Sequence, residues 1–189
     1  MDKIFPTNFL SQSEYEKLRK RKAYVFWLVG NSGSGKTTIA KATESLLYKE
    51  NFAVKCIDGD NIRSTINSDL DLSVESRKEN IRRSAEVAKL FLENGTSVIG
   101  SFISPTENMR NYAKNIIGDR FKLIYIHATA EDVIKRDVKG LYKNNGDSMN
   151  KSLSMFETPS DPDLIIRTSN RSIEYSANIL FNFILNQPV

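Results

Sequence analysis

Eight residues, Gly30-Asn-Ser-Gly-Ser-Gly35-Lys36-Thr37, leave little freedom for the rest of this chain. They fit G-x-x-x-x-G-K-[ST] at every fixed position, a match expected by chance on the order of once in a hundred chains of this length. Directly before them runs Tyr24-Val-Phe-Trp-Leu-Val29, a continuous apolar segment of the kind buried on both faces of a sheet. Directly after them, residues 38–48 read as a helix. In that strand–loop–helix setting the glycines let the backbone curl, so that N–H groups of Gly30, Asn31, Ser32, Gly33, Ser34, Gly35 and the first helical residues up to Thr38 face a phosphate. The helix N-terminus adds positive potential. Lys36 is expected to reach the β- and γ-phosphates of a nucleoside triphosphate, and Thr37 to place its hydroxyl on Mg²⁺.

The remaining chain alternates in the same way. Strands are expected at 53–57, 97–101, 121–126 and 164–166, and helices at 77–93, 106–117, 130–136 and 173–185. Ser11 and Glu14 form a capping-box pattern ahead of a short charged helix reaching about residue 21. Such alternation predicts an α/β, three-layer αβα domain of the P-loop NTPase type with a mostly parallel sheet, whose ligands lie beyond the carboxyl ends of the strands. No linker or repeat divides the chain. The expected organisation is an N-terminal extension with a short helix (1–22) and a single domain (23–189) carrying a lid at about 136–160.

Composition narrows the partners. With 189 residues, 40% hydrophobic and 26% charged, the chain can bury a sizeable core without staples. A single cysteine, Cys56, excludes a disulfide scaffold, and a single histidine, His127, excludes a His-rich zinc site. Cys56 is expected in the core, and His127 is not expected to be catalytic. The net charge of +4 is mild, and the one dense basic run, Lys17 to Lys22, reads as a solvated helix end, so no nucleic-acid partner is expected. No apolar run approaches 18 residues and the N-terminus is too polar for a secretory signal. No membrane partner is expected, and the reading favours a reducing, cytoplasmic setting.

The acceptor side must come from elsewhere. Strand three ends in Gly100-Ser101-Phe102, without the carboxylate that usually follows that strand in such proteins, and no guanine-reading motif follows strand four. A small kinase is the class that remains. Asp58-Gly59-Asp60-Asn61-Ile62-Arg63 follows strand two at once. One of its carboxylates can take a proton from an attacking hydroxyl and orient the metal's water shell, and Arg63 can pair with an anion. Read alone, the same residues make a solvated turn capped by Asp60. Further candidates stand at Asn80, Arg82 and Arg83, at 101–105, and at 135–143, where four basic residues and Tyr142 occupy the position of a lid over the phosphates.

With these residues in hand, the chain resembles the adenylylsulfate (APS) kinase family over roughly residues 11–185. The resemblance rests on YVFWLVGNSGSGKTTIA from Tyr24, DGDNIR from Asp58, ENIRRSAEVAKLF from Glu79, FISP from Phe102 and KRDVKGLYK from Lys135. It implies transfer of the γ-phosphate of ATP to the 3′-hydroxyl of adenosine 5′-phosphosulfate, with Mg²⁺ as cofactor, in a homodimer. By the same resemblance Asp60 is the acceptor's base or metal-shell group, acting through water, with Asp58 beside it. Arg63, Asn80, Arg83, Phe102, Ile103, Ser104, Lys139 and Leu141 hold the acceptor. Lys139, Tyr142, Lys143, Met149 and Phe156 belong to the lid, Arg136 packs on the donor adenine and Asp137 anchors the lid.

Departures from the family pattern cluster after residue 143. The GID portion of the usual GID-x-PYE-x-P motif is absent, and the residue that stacks on the acceptor's adenine falls near Met149 or Leu153. Thr106-Glu107 replace an aromatic and an arginine after FISP. Two further readings therefore stand beside the APS kinase: a kinase phosphorylating the 3′-hydroxyl of another 5′-modified nucleotide, such as cytidine diphosphoramidate, and a non-catalytic nucleotide-binding protein.

Overall fold

Five short strands pair in parallel into one sheet of order β2-β3-β1-β4-β5. They are β1 (Val25–Val29), β2 (Val54–Asp58), β3 (Ser97–Ser101), β4 (Phe121–His127) and β5 (Leu164–Arg167). The computed structural model describes residues 9–136 and 155–189. The expectations placed on Asp137, Lys139, Leu141, Tyr142, Lys143, Met149 and Leu153 lie outside them.

Seven α-helices stand among the described residues: α1 (Gln12–Arg19), α2 (Lys36–Lys49), α3 (Gly59–Arg63), α4 (Val74–Glu93), α5 (Glu107–Ile117), α6 (Ala130–Arg136) and α7 (Ile173–Leu185). Strand alternation divides the core into two layers. Val25, Trp27 and Val29 face Ile81, Ala85 and Ala88 of α4 and Ala113 and Ile117 of α5. Phe26 and Leu28 face Ile39 and Leu47 of α2 and Leu180 and Ile184 of α7. The central strand β1 is buried along its whole length, which is why its sequence is uniformly apolar. The three-layer parallel α/β architecture is thus the one expected.

Side-chain caps fix where the helices begin. Ser11 and Glu14 form the capping box of α1, and Ser73, Thr106 and Ser172 accept from Ser76, Met109 and Tyr175 N–H at the starts of α4, α5 and α7. The Ser73 cap starts α4 earlier than the apolar pattern suggests. Cys56 departs from its expected burial, because β2 is an edge strand and leaves it only half-buried. Desolvation, reinforced by Glu44, raises its thiol pKa and keeps it protonated.

Candidate active site

A cavity of about 820 Å³ opens beyond the carboxyl ends of the strands, with the glycine loop and α2 on one side and α3 and α4 on the other. The loop after β1 is tight. Gly30 has φ +151°, and a β-carbon there would fall 2.4 Å from the carbonyl oxygen of Ile126 in the neighbouring strand. Only glycine fits that approach. Ser32, Gly33, Ser34, Gly35, Lys36, Thr37 and Thr38 all line the cavity, whereas Gly30 and Asn31 do not. Lys36 is folded back on its own loop, its Nζ donating to the carbonyl oxygens of Gly30 and Asn31 at 2.8 Å each.

The carboxylate missing from β3 arrives from the adjacent strand. Asp58 closes β2 directly across from Ser101, the last residue of β3. Thr37 Oγ1 donates to Asp58 Oδ2 at 2.6 Å and lies 3.1 Å from Ser101 Oγ. The other Asp58 oxygen accepts from the Asp60 backbone N–H at 3.0 Å, capping α3. The cap of α3 is therefore Asp58 and not Asp60, and Asp58 is the carboxylate that accepts from the Thr37 hydroxyl. Asp60, exposed on the first turn of α3, lines the cavity.

Among the described residues no group of three or more His, Cys, Asp or Glu side chains could hold a metal. The hard oxygens of Thr37, Asp58 and Ser101 suit Mg²⁺, an ion that keeps several waters and leans on phosphate oxygens and not on a full protein cage. The donor set fits.

On the far wall, Arg63, Arg77 and Asn80 line the cavity together. Burial, then the nearby charge of Arg77, lowers the pKa of Arg63. Two guanidiniums facing one space favour an anion between them. Arg83 does not line the cavity. Its guanidinium grips Asp69 at 2.7 and 2.9 Å and Glu79 at 2.8 Å, and it is Arg77 that lines the cavity beside Asn80. Arg82 also pairs with Glu79, and these two arginines hold the Glu79 carboxyl down at about 2.

The FISP turn follows β3. Phe102 stacks on Trp27 with centroids 4.2 Å apart, a packing open only because Gly100 has no side chain: a β-carbon there would lie 2.7 Å from the Phe102 ring. Ser104 takes a left-handed φ of +39° and is held by Trp27 Nε1, which donates to its hydroxyl, and by the buried Arg110, which donates to its carbonyl. Phe102, Ile103 and Ser104 line the cavity. Phe156 does not. It lies against the core, stacked on Tyr125 and beneath the Arg110 guanidinium.

Beside the carboxyl end of β5, Arg136 lines the cavity and donates to Thr168 Oγ1 and to the Thr168 carbonyl, both at 3.0 Å. Thr168 in turn donates to the Ser34 carbonyl of the glycine loop. Thr168, Arg171, Ser172, Ile173 and Ser176 complete this wall and went unnoticed in the sequence. The signal available was their position after the carboxyl end of β5, where ligands of a parallel sheet collect.

Comparison with known proteins agrees with this geometry. The family model described as adenylylsulphate kinase matches residues 22–167. The chain belongs to the adenylylsulphate kinase family. It is 43% identical over 189 residues to the adenylyl-sulfate kinase of Bacteroides thetaiotaomicron, covering 96% of this chain and 94% of that protein. It is 42% identical over 191 residues to that of Phocaeicola vulgatus, covering 97% and 94%. Among solved structures, the Mycobacterium tuberculosis APS kinase CysC in complex with AMPPNP and APS superposes with a TM-score of 0.81 at 30% identity, covering 87% of this chain and 99% of that one.

Proposed function

We propose that this chain transfers the γ-phosphate of ATP to the 3′-hydroxyl of adenosine 5′-phosphosulfate, giving ADP and 3′-phosphoadenosine 5′-phosphosulfate. The observation that carries this reading is the wall of Arg63, Arg77 and Asn80 facing the glycine loop across one cavity. Donors on one side suit a triphosphate, and paired cations on the other suit a nucleotide with a 5′ anionic group. The family relationship supports the same acceptor.

In the reaction the acceptor oxygen forms a bond to the γ-phosphorus as the bond to the β,γ-bridging oxygen breaks, with ADP leaving. Asp60 takes the hydroxyl proton. Lys36 leaves the carbonyls of Gly30 and Asn31 to hold the phosphates, and the loop N–H groups spread the charge that develops. Bound Mg²⁺ would neutralise phosphate charge, with Thr37 as its protein ligand and Asp58 ordering its water. Arg136, its plane fixed by Thr168, is the surface on which the donor adenine packs.

The test is a comparison of kcat/KM, with Mg-ATP as donor, for adenosine 5′-phosphosulfate and for a set of cytidine, uridine and guanosine diphospho-derivatives. The adenylylated acceptor should win by at least ~2 kcal/mol of transition-state binding, roughly thirtyfold. A cytidine compound winning by that margin would replace the acceptor while leaving donor and transfer type intact. Absence of turnover with every acceptor would remove the catalytic reading.

A further inference from the structure

Asn80 has only 7% of its surface exposed, and its amide oxygen is already engaged. Asn80 Oδ1 accepts a hydrogen bond from Asn67 Nδ2 at 2.9 Å. Asn67 is fully buried and does not line the cavity. It is fixed in the connection between α3 and α4, where its backbone N–H donates to the Ile62 carbonyl and its own carbonyl accepts from Leu70. A primary amide carries one accepting and one donating end on a rigid plane. With Oδ1 turned to Asn67, the end of Asn80 left for the cavity is Nδ2.

The reverse arrangement, with both amides turned over, would keep one bond between them but change what is left over. As the pair stands, Asn67 Oδ1 is buried without a partner among the described residues. Turned over, Asn67 would bury an unpaired NH₂ in its place. Unpaired buried N–H groups are rarer in proteins than under-satisfied carbonyl oxygens, so the observed orientation is the cheaper one.

We propose that Asn67 is a positioning residue that sets the polarity of Asn80, holding it as a hydrogen-bond donor toward the anionic group of the acceptor. The wall made by Arg63, Arg77 and Asn80 then presents donors only. An acceptor bearing phosphate or sulfate oxygens is matched, and one presenting N–H groups there is opposed. The inference rests on the reading that this wall holds the acceptor's 5′ anion.

The experiment measures KM for adenosine 5′-phosphosulfate at saturating Mg-ATP, KM for ATP at saturating acceptor, kcat and Tm, for the full chain and its variants Asn67→Leu, Asn67→Asp and Asn80→Ala. Ionised, the carboxylate of Asn67→Asp offers only acceptors, so Asn80 must turn its nitrogen inward and show its oxygen to the anion. The acceptor KM should rise about tenfold or more, the scale of a lost or reversed charge-assisted hydrogen bond. Asn67→Leu removes the constraint without reversing it and should raise the same KM by a smaller factor, about threefold or more. The ATP KM should stay within about twofold in both. Should the buried carboxylate of Asn67→Asp prevent folding, Asn67→Leu decides. An unchanged acceptor KM in the Asn67 variants, with Asn80→Ala raising it, overturns the positioning role and keeps the acceptor wall. Both KM values rising together with a lowered Tm makes Asn67 merely structural and likewise overturns the role. An unchanged acceptor KM in Asn80→Ala overturns the acceptor wall and the inference with it.

Discussion

The two carboxylates of the Asp58-Gly-Asp60 sequence are held by a single turn of chain in two different settings. Asp58 ends a strand, so its side chain is held between Thr37 and the Asp60 N–H, whereas Asp60 sits one step onto α3 and looks into the cavity. Substitution should separate them. Asp60→Asn is expected to slow the transfer step about 10²-fold, the scale of losing a positioned base, with ATP binding retained. Asp58→Asn should instead raise the Mg²⁺ concentration needed for half-maximal rate by about tenfold, the usual range for a lost metal-orienting partner. Single-turnover kinetics across a Mg²⁺ titration distinguish these outcomes; equal effects of both variants on the transfer step would remove the division of labour. The pair itself was legible in the sequence, but the hydrogen bond from Thr37 to Asp58 was not. Which carboxylate meets Thr37 depends on β2 lying beside β3 with Asp58 opposite Ser101, a long-range register that no local pattern records.

Helix α4 is where the sequence held more than was first drawn from it. Its buried face includes Ile81, Ser84 and Ala88, and Arg77 lies on that face at the i, i+4, i+7, i+11 spacing of one helical stripe. Arg83 is three residues beyond Asn80 and Arg77 three before, so they flank Asn80 by about 60° in opposite senses. Only the sense toward the apolar stripe leads into the cavity. The periodicity that located α4 thus places Arg77 on the cavity side, whereas Arg83 comes from the resemblance of the ENIRR motif, which carries no information on the helix face. By contrast the strands were readable almost to the residue, because a sheet covered on both faces demands continuous apolar runs and chain breaks at each end. The geometry gives a direct comparison. Arg77→Ala should raise the acceptor KM by about tenfold or more, as expected for loss of a charged contact to a bound anion. Arg83→Ala should leave that KM within about twofold and act on stability alone, since its partners are Asp69 and Glu79. Steady-state kinetics on the two variants side by side check this, and an Arg83→Ala effect equal to that of Arg77→Ala would mean the ion pairs open when the acceptor binds.

At the scale of the whole molecule the same loop serves the fold when no nucleotide is bound and the reaction when one is. Lys36 is mostly buried and satisfies the carbonyls of Gly30 and Asn31, while Gly30 presses against Ile126 of β4 and Ser34 is tied through Thr168 to the end of β5. Nucleotide phosphates must draw Lys36 out of those bonds, and they return more by bringing the loop, β1, β4 and β5 under one ligand. Binding to the folded state alone stabilises by RT ln(1 + [L]/Kd), about 2.7 kcal/mol at a hundredfold excess over Kd. For a chain of this size each kcal/mol moves Tm by roughly 2–4 °C, so Mg-ADP at that excess should raise Tm by about 5–10 °C. In Lys36→Ala two effects part company. Losing these two hydrogen bonds, each worth about 1 kcal/mol, should lower the Tm without nucleotide by about 4–8 °C. At the nucleotide concentration that shifts the parent chain, however, the upward shift should nearly vanish, because the cation that holds the phosphates is gone. Differential scanning calorimetry with and without Mg-ADP measures both quantities in one series. A variant that melts lower yet keeps the full shift would show that Lys36 supports the loop but does not hold the phosphates, and the assignment of the loop as the donor site would then rest on its N–H groups alone.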